Sequence, residues 1–208
     1  MRHIKGADIY GITSERHSLG RDNITVVKAM IDAGITLIQY REKEKSLLEK
    51  YRQCEAIRRI TEDSGVTLIV NDHIDLALAV DADGVHVGQD DLPVPVVRKL
   101  VGDRLVGLST HSPEQARAAV EAGADYIGVG PIYATQTKVD VCDPVGLTYL
   151  DHVVRDEKIP FVAIGGIKIH NIAEVRSRGA ETIALVTEIV GAEDISKQVK
   201  TIRKNMER

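Results

Sequence analysis

The segment Gly130-Pro131-Ile132-Tyr133-Ala134-Thr135-Gln136-Thr137-Lys138 follows a short apolar run and gathers hydroxyl, amide and ammonium side chains at its end. Groups of these types hydrogen-bond and neutralise anions, so the segment reads as an anion-binding loop. A second cluster is Gln39-Tyr40-Arg41-Glu42-Lys43. Residues two apart share one face of an extended chain, which brings the Gln39 amide together with the cations of Arg41 and Lys43. Taken alone, that cluster is also what a solvated strand end looks like. Two further runs end in Asn71-Asp72 and in Gln89-Asp90-Asp91. Asp72 and Asp91 have no histidine or thiol at ligand spacing, which makes them hard oxygen donors suited to Mg²⁺, an ion that keeps waters and shares a substrate phosphate. The competing reading is that Asp72, and Asp90 or Asp91, cap the helices that follow.

Other candidates are weaker by themselves. His86, between valines, reads as a packed residue within a strand. His111 follows Leu108-Ser109-Thr110 at a strand end, where an imidazole could donate a hydrogen bond or move a proton. Ser109 could bind an oxyanion or simply tie its hydroxyl to the backbone. Gly165-Gly166 lets backbone N–H groups approach a phosphate, although glycine pairs also make ordinary turns. After the last run, Thr187 could add a hydroxyl to the same anion site at the start of a short helix.

These residues need a scaffold that delivers them to one place. Apolar runs rich in valine, isoleucine and threonine occupy 9–13, 36–41, 67–72, 84–88, 105–110, 126–130, 161–166 and 182–187, as buried parallel strands require. Helical segments lie between them: 22–33 before Gly34, 46–64 before Gly65 and 171–178 before Gly179. Another starts at Ser112-Pro113, a cap followed by proline at the first helical position, carries an apolar stripe of Ala116, Ala119 and Val120, and stops at Gly123. Strict alternation gives parallel pairing with right-handed crossovers, and eight units predict an α/β chain folded as a single (β/α)8 TIM barrel over residues 1–208, with its site at the strand C-terminal ends. An open doubly wound sheet uses the same units and is the alternative.

The composition is that of a globular domain: 43% hydrophobic, 28% charged, net charge −4. That balance argues against nucleic acid as a partner, and no apolar stretch reaches the roughly 20 residues that cross a bilayer. With no secretory signal, a cytoplasmic location is expected. Cys54, expected on a helix, and Cys142, in a loop, read as structural or incidental rather than as a disulfide. The longest connection, about 131–145, has the length of a functional loop.

From Tyr10-Gly11-Ile12-Thr13 to the last run, the chain resembles the thiamine phosphate synthase family. The resemblance is carried by Gln39-Tyr40-Arg41-Glu42-Lys43, by Asn71-Asp72 with Asp75-Leu76-Ala77-Leu78-Ala79, and by Gly84-Val85-His86-Val87-Gly88-Gln89-Asp90-Asp91. Gly130-Pro131-Ile132 with Thr135-Gln136-Thr137-Lys138, and Pro144-Val145-Gly146-Leu147, complete it. It implies a Mg²⁺-dependent transferase that joins a pyrimidinylmethyl diphosphate to a thiazole phosphate and releases pyrophosphate without a covalent enzyme intermediate. It implies that Asp72 and Asp91 bind the metal and that Gln39, Arg41, Lys43, Asn71, Ser109 and Lys138 hold the diphosphate substrate, with Arg41, Lys43, Ser109 and Lys138 as the catalytic set. Thr135, Thr137, Gly165, Gly166, Val186 and Thr187 are implied to hold the thiazole phosphate.

Three positions depart from the family pattern. Thr187 stands where serine is usual, Ala134 replaces a usual proline, and 139–143 is less basic than the typical loop. A thiazole tautomerase on the same scaffold, with His111 as acid or base, and a barrel that only senses thiamine intermediates are the rival readings. The partners expected are small-molecule substrates, and a homo-oligomer is left open.

Overall fold

A computed structural model of the protein describes residue 4, residues 6–137 and residues 142–207. Eight parallel strands follow one another around a closed barrel: β1 (Ile9–Ile12), β2 (Leu37–Tyr40), β3 (Thr67–Asn71), β4 (Gly84–Val87), β5 (Leu105–Thr110), β6 (Tyr126–Val129), β7 (Phe161–Ala163) and β8 (Ile183–Leu185). Pairing of β8 with β1, Ile9 opposite Ile183 and Gly11 opposite Leu185, closes the ring. The fold is therefore the (β/α)8 barrel and not the open sheet.

Helices α1 (Asn23–Asp32), α2 (Leu47–Asp63), α3 (Ile74–Ala79), α4 (Val94–Val101), α5 (Pro113–Glu121), α6 (Gly146–Asp156) and α7 (Ile172–Ser177) make the crossovers. A short 3-10 helix (Glu15–His17) precedes α1, and α8 (Thr187–Val190) and α9 (Ile195–Met206) follow β8. Local chemistry sets several of the starts. Asp22 accepts from the Thr25 N–H, Ser112 from the Gln115 N–H, and Ser46 forms a capping box with Glu49. Val120 corrects the expected stripe of α5, for it is exposed while Ala116 and Ala119 are buried. The buried face is centred between those two alanines, which leaves position 120 at its solvent edge.

Every strand but β5 stops before the end of its apolar run, by one residue in β1, β2, β3, β4 and β6 and by more in β7 and β8. β3 ends at Asn71 because Asp72 adopts φ 59°, and β7 ends at Ala163 ahead of Gly165 at φ 97° and Gly166 at φ 65°. Left-handed backbone leaves the ladder. β8 ends at Leu185, where Val186 turns the chain into α8.

The core has two layers. Between strands and helices lie Val26, Met30, Ile38, Ile57, Leu68, Val97 and Val175, and inside the barrel lie Tyr10, Ile12, Leu37, Ile69, Tyr126 and Val162. The lumen holds large rings because Gly107 yields space: a Cβ there would lie 2.1 Å from Tyr126 Cζ and 2.5 Å from His86 Nδ1. Buried Cys54 packs on α2, where burial pushes its thiol up to about 12. Among the described residues no helix is long and apolar enough to cross a membrane.

Arg203 ties α9 to the segments that lead into β1 and β2. Its Nε donates to Asp8 Oδ2 at 2.6 Å, while Nη1 and Nη2 donate to the carbonyls of Ala33 and Gly34 at 2.7 and 2.9 Å. Burial opposes ionisation of Asp8, yet the guanidinium's hydrogen bond and charge hold its carboxyl below the ordinary value. The stabilisation is therefore present above the unfolded carboxylate's pKa and is lost as pH falls through the lowered folded value. Arg203→Met should cost about 1–3 kcal/mol at neutral pH, read as a lower melting temperature, and the deficit relative to the unaltered protein should shrink in acid.

Candidate active site

The C-terminal ends of the strands surround a cavity of about 530 Å³. Gln39, Arg41, Lys43, Asn71, Asp72, Asp91 and Ser109 line it, and so do Thr135, Thr137, Gly165, Gly166, Val186 and Thr187. Lys138 lies outside the described residues. The barrel thus brings together every other residue expected from sequence.

On the β2 side, the backbone of Arg41 is clasped by Thr13, whose Oγ1 accepts from the Arg41 N–H at 2.8 Å and donates to its carbonyl at 3.1 Å. Burial lowers the Arg41 pKa, against the pull of the Asp72 and Glu42 carboxylates. Glu42 points away from the cavity and is buried. Its Oε1 accepts the N–H groups of Lys43 and Glu44 at 2.9 and 3.1 Å, and its Oε2 accepts from Asn23 Nδ2 at 3.0 Å. Asn23 also donates to Gln53, whose Oε1 accepts from the Tyr40 hydroxyl as well and whose Nε2 donates to Glu15. A buried polar lattice therefore fixes the turn that aims Lys43.

Lys43 Nζ meets Asp72 Oδ2 at 2.5 Å. Asp72 is not a helix cap: α3 begins after His73, which makes no side-chain cap bond. Asp91 does not cap α4 either, since that helix begins after Pro93; instead Asp91 Oδ2 accepts the Gly88 N–H at 2.7 Å and closes the turn after β4. Both residues line the cavity, and the contacts described for them engage Oδ2 of each carboxylate. Among the described residues, no group of three or more His, Cys, Asp or Glu is placed to hold a metal. This donor pair suits a divalent ion that draws its other ligands from water and phosphate, which is the habit of Mg²⁺.

A chain of hydrogen bonds crosses the lumen beneath the cavity. Gln39 Nε2 donates to the Tyr10 hydroxyl at 2.9 Å, Tyr10 and Tyr126 hydroxyls lie 3.0 Å apart, Tyr126 meets His86 Nδ1 at 3.0 Å, and His86 Nε2 meets Ser109 Oγ at 2.9 Å. The amide can only donate at its end, so one direction satisfies every member: Tyr10 donates to Tyr126, Tyr126 to His86 Nδ1, and His86 Nε2–H to Ser109. That leaves the Ser109 proton free to be donated toward the cavity. His86 is thus a strand residue as expected, but one whose ring lines the cavity and orients Ser109. Burial raises the pKa of both tyrosines, so they act as neutral donors. Sequence reading singled out neither tyrosine, because a tyrosine in an apolar run reads as packing.

At the opposite side, the loop after β6 folds onto the turn after β7. Ile132 N–H donates to the Ile164 carbonyl and Tyr133 N–H to the Gly165 carbonyl, both at 2.9 Å. A Cβ on Gly165 would lie 2.4 Å from Pro131 Cα, and one on Gly166 2.5 Å from the Ala134 carbonyl oxygen. The glycines are thus required by loop packing as well as by approach to an anion. His111 Nδ1 lies 2.5 Å from the Gly130 carbonyl oxygen, to which it donates, securing the start of the same loop. Thr135 Oγ1 donates to Thr137 Oγ1 at 3.2 Å. Lys168 and Glu188, which sequence reading passed over, also line the cavity, as does the exposed Cys142.

Residues 9–189 match the family model described as thiamine monophosphate synthase. The chain is 68% identical to the thiamine-phosphate synthase of Pelotomaculum thermopropionicum, over 95% of this chain and 91% of that one. It is 55% identical to that of Lawsonia intracellularis, again over 95% and 91%. Its structure is similar to that of a thiamine phosphate pyrophosphorylase from Pyrococcus furiosus, with a TM-score of 0.88 and 35% identity over 97% of this chain and 96% of the other.

Two substitutions probe the construction of this rim. Tyr126→Phe removes the middle of the lumen relay and should cost about 1–2 kcal/mol of stability, measured by denaturant unfolding. Gly166→Ala forces a methyl group against the Ala134 carbonyl and a positive φ on alanine, so the loop after β6 must move. Limited proteolysis should then cut within 131–137 faster than in the unaltered protein.

Proposed function

The chain belongs to the thiamine monophosphate synthase family, and on that premise we propose that it joins an aminopyrimidinylmethyl diphosphate to a thiazole phosphate, giving thiamine phosphate and pyrophosphate. Like its relatives it is an enzyme, a transferase. The observation that carries the fuller reading is that two separate sets of anion-binding groups line one cavity: Arg41 and Lys43 on the β2 side, and Thr135, Thr137, Gly165, Gly166 and Thr187 on the other. A reaction between two phosphorylated substrates needs such a pair of sites facing each other.

In this reading the bond from the pyrimidine methylene to the diphosphate oxygen breaks first, and its electron pair leaves with the oxygen. The ring's amino group donates electrons to the resulting cation, and the thiazole nitrogen then supplies the pair for the new C–N bond. No protein nucleophile is needed, so positioning and electrostatics do the catalysis. Arg41, Lys43 and Lys138 neutralise the departing diphosphate. Gln39, Asn71 and Ser109 orient the pyrimidine, Ser109 donating the proton that the His86 relay leaves free. Thr135, Thr137, the Gly165-Gly166 turn, Val186 and Thr187 hold the thiazole phosphate, threonine at 187 keeping the hydroxyl that a serine would offer. Asp72 and Asp91 would hold Mg²⁺, which supplies further positive charge against the leaving group. Lys43, paired with Asp72, is positioned to exchange that carboxylate for the diphosphate. A cytoplasmic location goes with this reading, because both substrates carry charges that oppose passage through a bilayer.

The direct test is incubation with pyrimidinylmethyl diphosphate, thiazole phosphate and Mg²⁺, with mass detection of thiamine phosphate and pyrophosphate. Binding of both substrates without product would favour a sensor, and metal-independent proton exchange on the thiazole would favour a tautomerase. Asp72→Asn and Asp91→Asn should each raise the Mg²⁺ concentration needed for half-maximal rate. Lys138→Ala should lower kcat by about 10²-fold, the scale of losing one group that stabilises developing negative charge, with the melting temperature unchanged.

A further inference from the structure

We propose that Lys168 is the cation of the second anion site and that it makes the protein select a phosphorylated thiazole over the corresponding alcohol. The proposal rests on the synthase reading above and assigns the charge that reading lacks on the β7 and β8 side. There, Thr135, Thr137, Gly165, Gly166 and Thr187 offer neutral donors, and Glu188 adds a negative charge. Among the described residues that line this side of the cavity, Lys168 is the one lysine or arginine. An alkyl phosphate carries between one and two negative charges near neutral pH. Neutral donors alone would leave that charge uncompensated beside a carboxylate.

The geometry places the ammonium for this task. Lys168 Nζ donates to Thr187 Oγ1 at 2.7 Å and lies 3.2 Å from Glu188 Oε1. An ammonium has three donors, so these two partners leave one N–H for a ligand in the cavity, and the side chain is 36% exposed. The backbone under it is anchored to the glycine turn. Lys168 N–H donates to Asn171 Oδ1 at 2.7 Å, and Asn171 Nδ2 donates to the Gly166 carbonyl at 3.1 Å. Glu188 is held as well, its Oε2 accepting the Ile169 N–H at 3.3 Å. Glu188 therefore keeps the ammonium beside Thr187, where a phosphate held by the Thr187 hydroxyl must meet it. A thiazole bearing a free hydroxyl would draw little from the same cation, and there the selectivity arises.

The test is a comparison of Lys168→Met with the unaltered enzyme, using thiazole phosphate and the thiazole alcohol in turn, each as acceptor or as competitive inhibitor. Lys168→Met should raise the KM for thiazole phosphate about 10–100-fold, the scale of a charge-assisted hydrogen bond. The kcat at saturation, the KM for the pyrimidine diphosphate and the constant for the alcohol should be unchanged, and Lys168→Arg should restore most of the loss. If Lys168→Met lowers the melting temperature, Lys168→Gln replaces it in the same comparison. An unchanged KM for thiazole phosphate, or an equal loss for phosphate and alcohol, overturns the role of Lys168. Absence of thiamine phosphate from the unaltered enzyme would instead overturn the synthase reading itself.

Discussion

Closure of the strand ring is the constraint from which the rest follows. Once β8 pairs with β1, each strand end is held by two neighbours, and the side chains just beyond those ends cannot drift apart. Parallel pairing sends all eight ends to the same rim, so groups as distant in sequence as Lys43 and Thr187 are committed to one cavity. The ring also defines a lumen narrow enough that polar side chains within it must satisfy one another. Gln39, Tyr10, Tyr126, His86 and Ser109 do so in a single direction. A buried donor left unpaired there would cost about 1–3 kcal/mol, so the relay keeps its order and the hydroxyl at its end keeps its aim.

Charge on the rim is arranged in opposed pairs. Lys43 lies against Asp72 and Lys168 against Glu188, one pair on each side of the cavity. Each carboxylate holds a flexible ammonium near the place where an anion is expected, and partial exposure keeps the pairs weak enough for the ammonium to change partners. Arg41 differs in being more deeply set and clasped through its backbone by Thr13. Fixed and exchangeable cations thus stand together on the β2 side.

Much of this was legible in the chain before the structure. Strands in a parallel barrel are buried on both faces, so they appear as apolar runs, and the eight runs correspond to the eight strands. Residues at the ends of such runs are the ones a barrel displays, which is why Arg41, Asp72, Asp91 and Gly165 could be marked. The runs overstated β3 and β7 because hydropathy does not register a left-handed φ at Asp72 or Gly165. What escaped reading depends on contact between distant positions. Tyr10 and Tyr126 are 116 residues apart, and nothing local tells a lumen tyrosine from a packed one. Glu42 had no reading of its own in the sequence, for its role as the buried support under the turn that carries Lys43 depends on Asn23 in a different segment. Lys168 lacked any signal of its own, since its meaning comes from Glu188 and Thr187 on another loop.

Barrel enzymes are often treated as modular, each loop free to be exchanged while the strands stay. The contact of Gly165 and Gly166 with Pro131, Tyr133 and Ala134 removes that freedom here for one neighbouring pair. The two segments interlock through backbone atoms with no room for a side chain between them, so neither can be grafted from another barrel without its mate. Engineering new acceptor chemistry on this scaffold therefore means transplanting both as a single cassette.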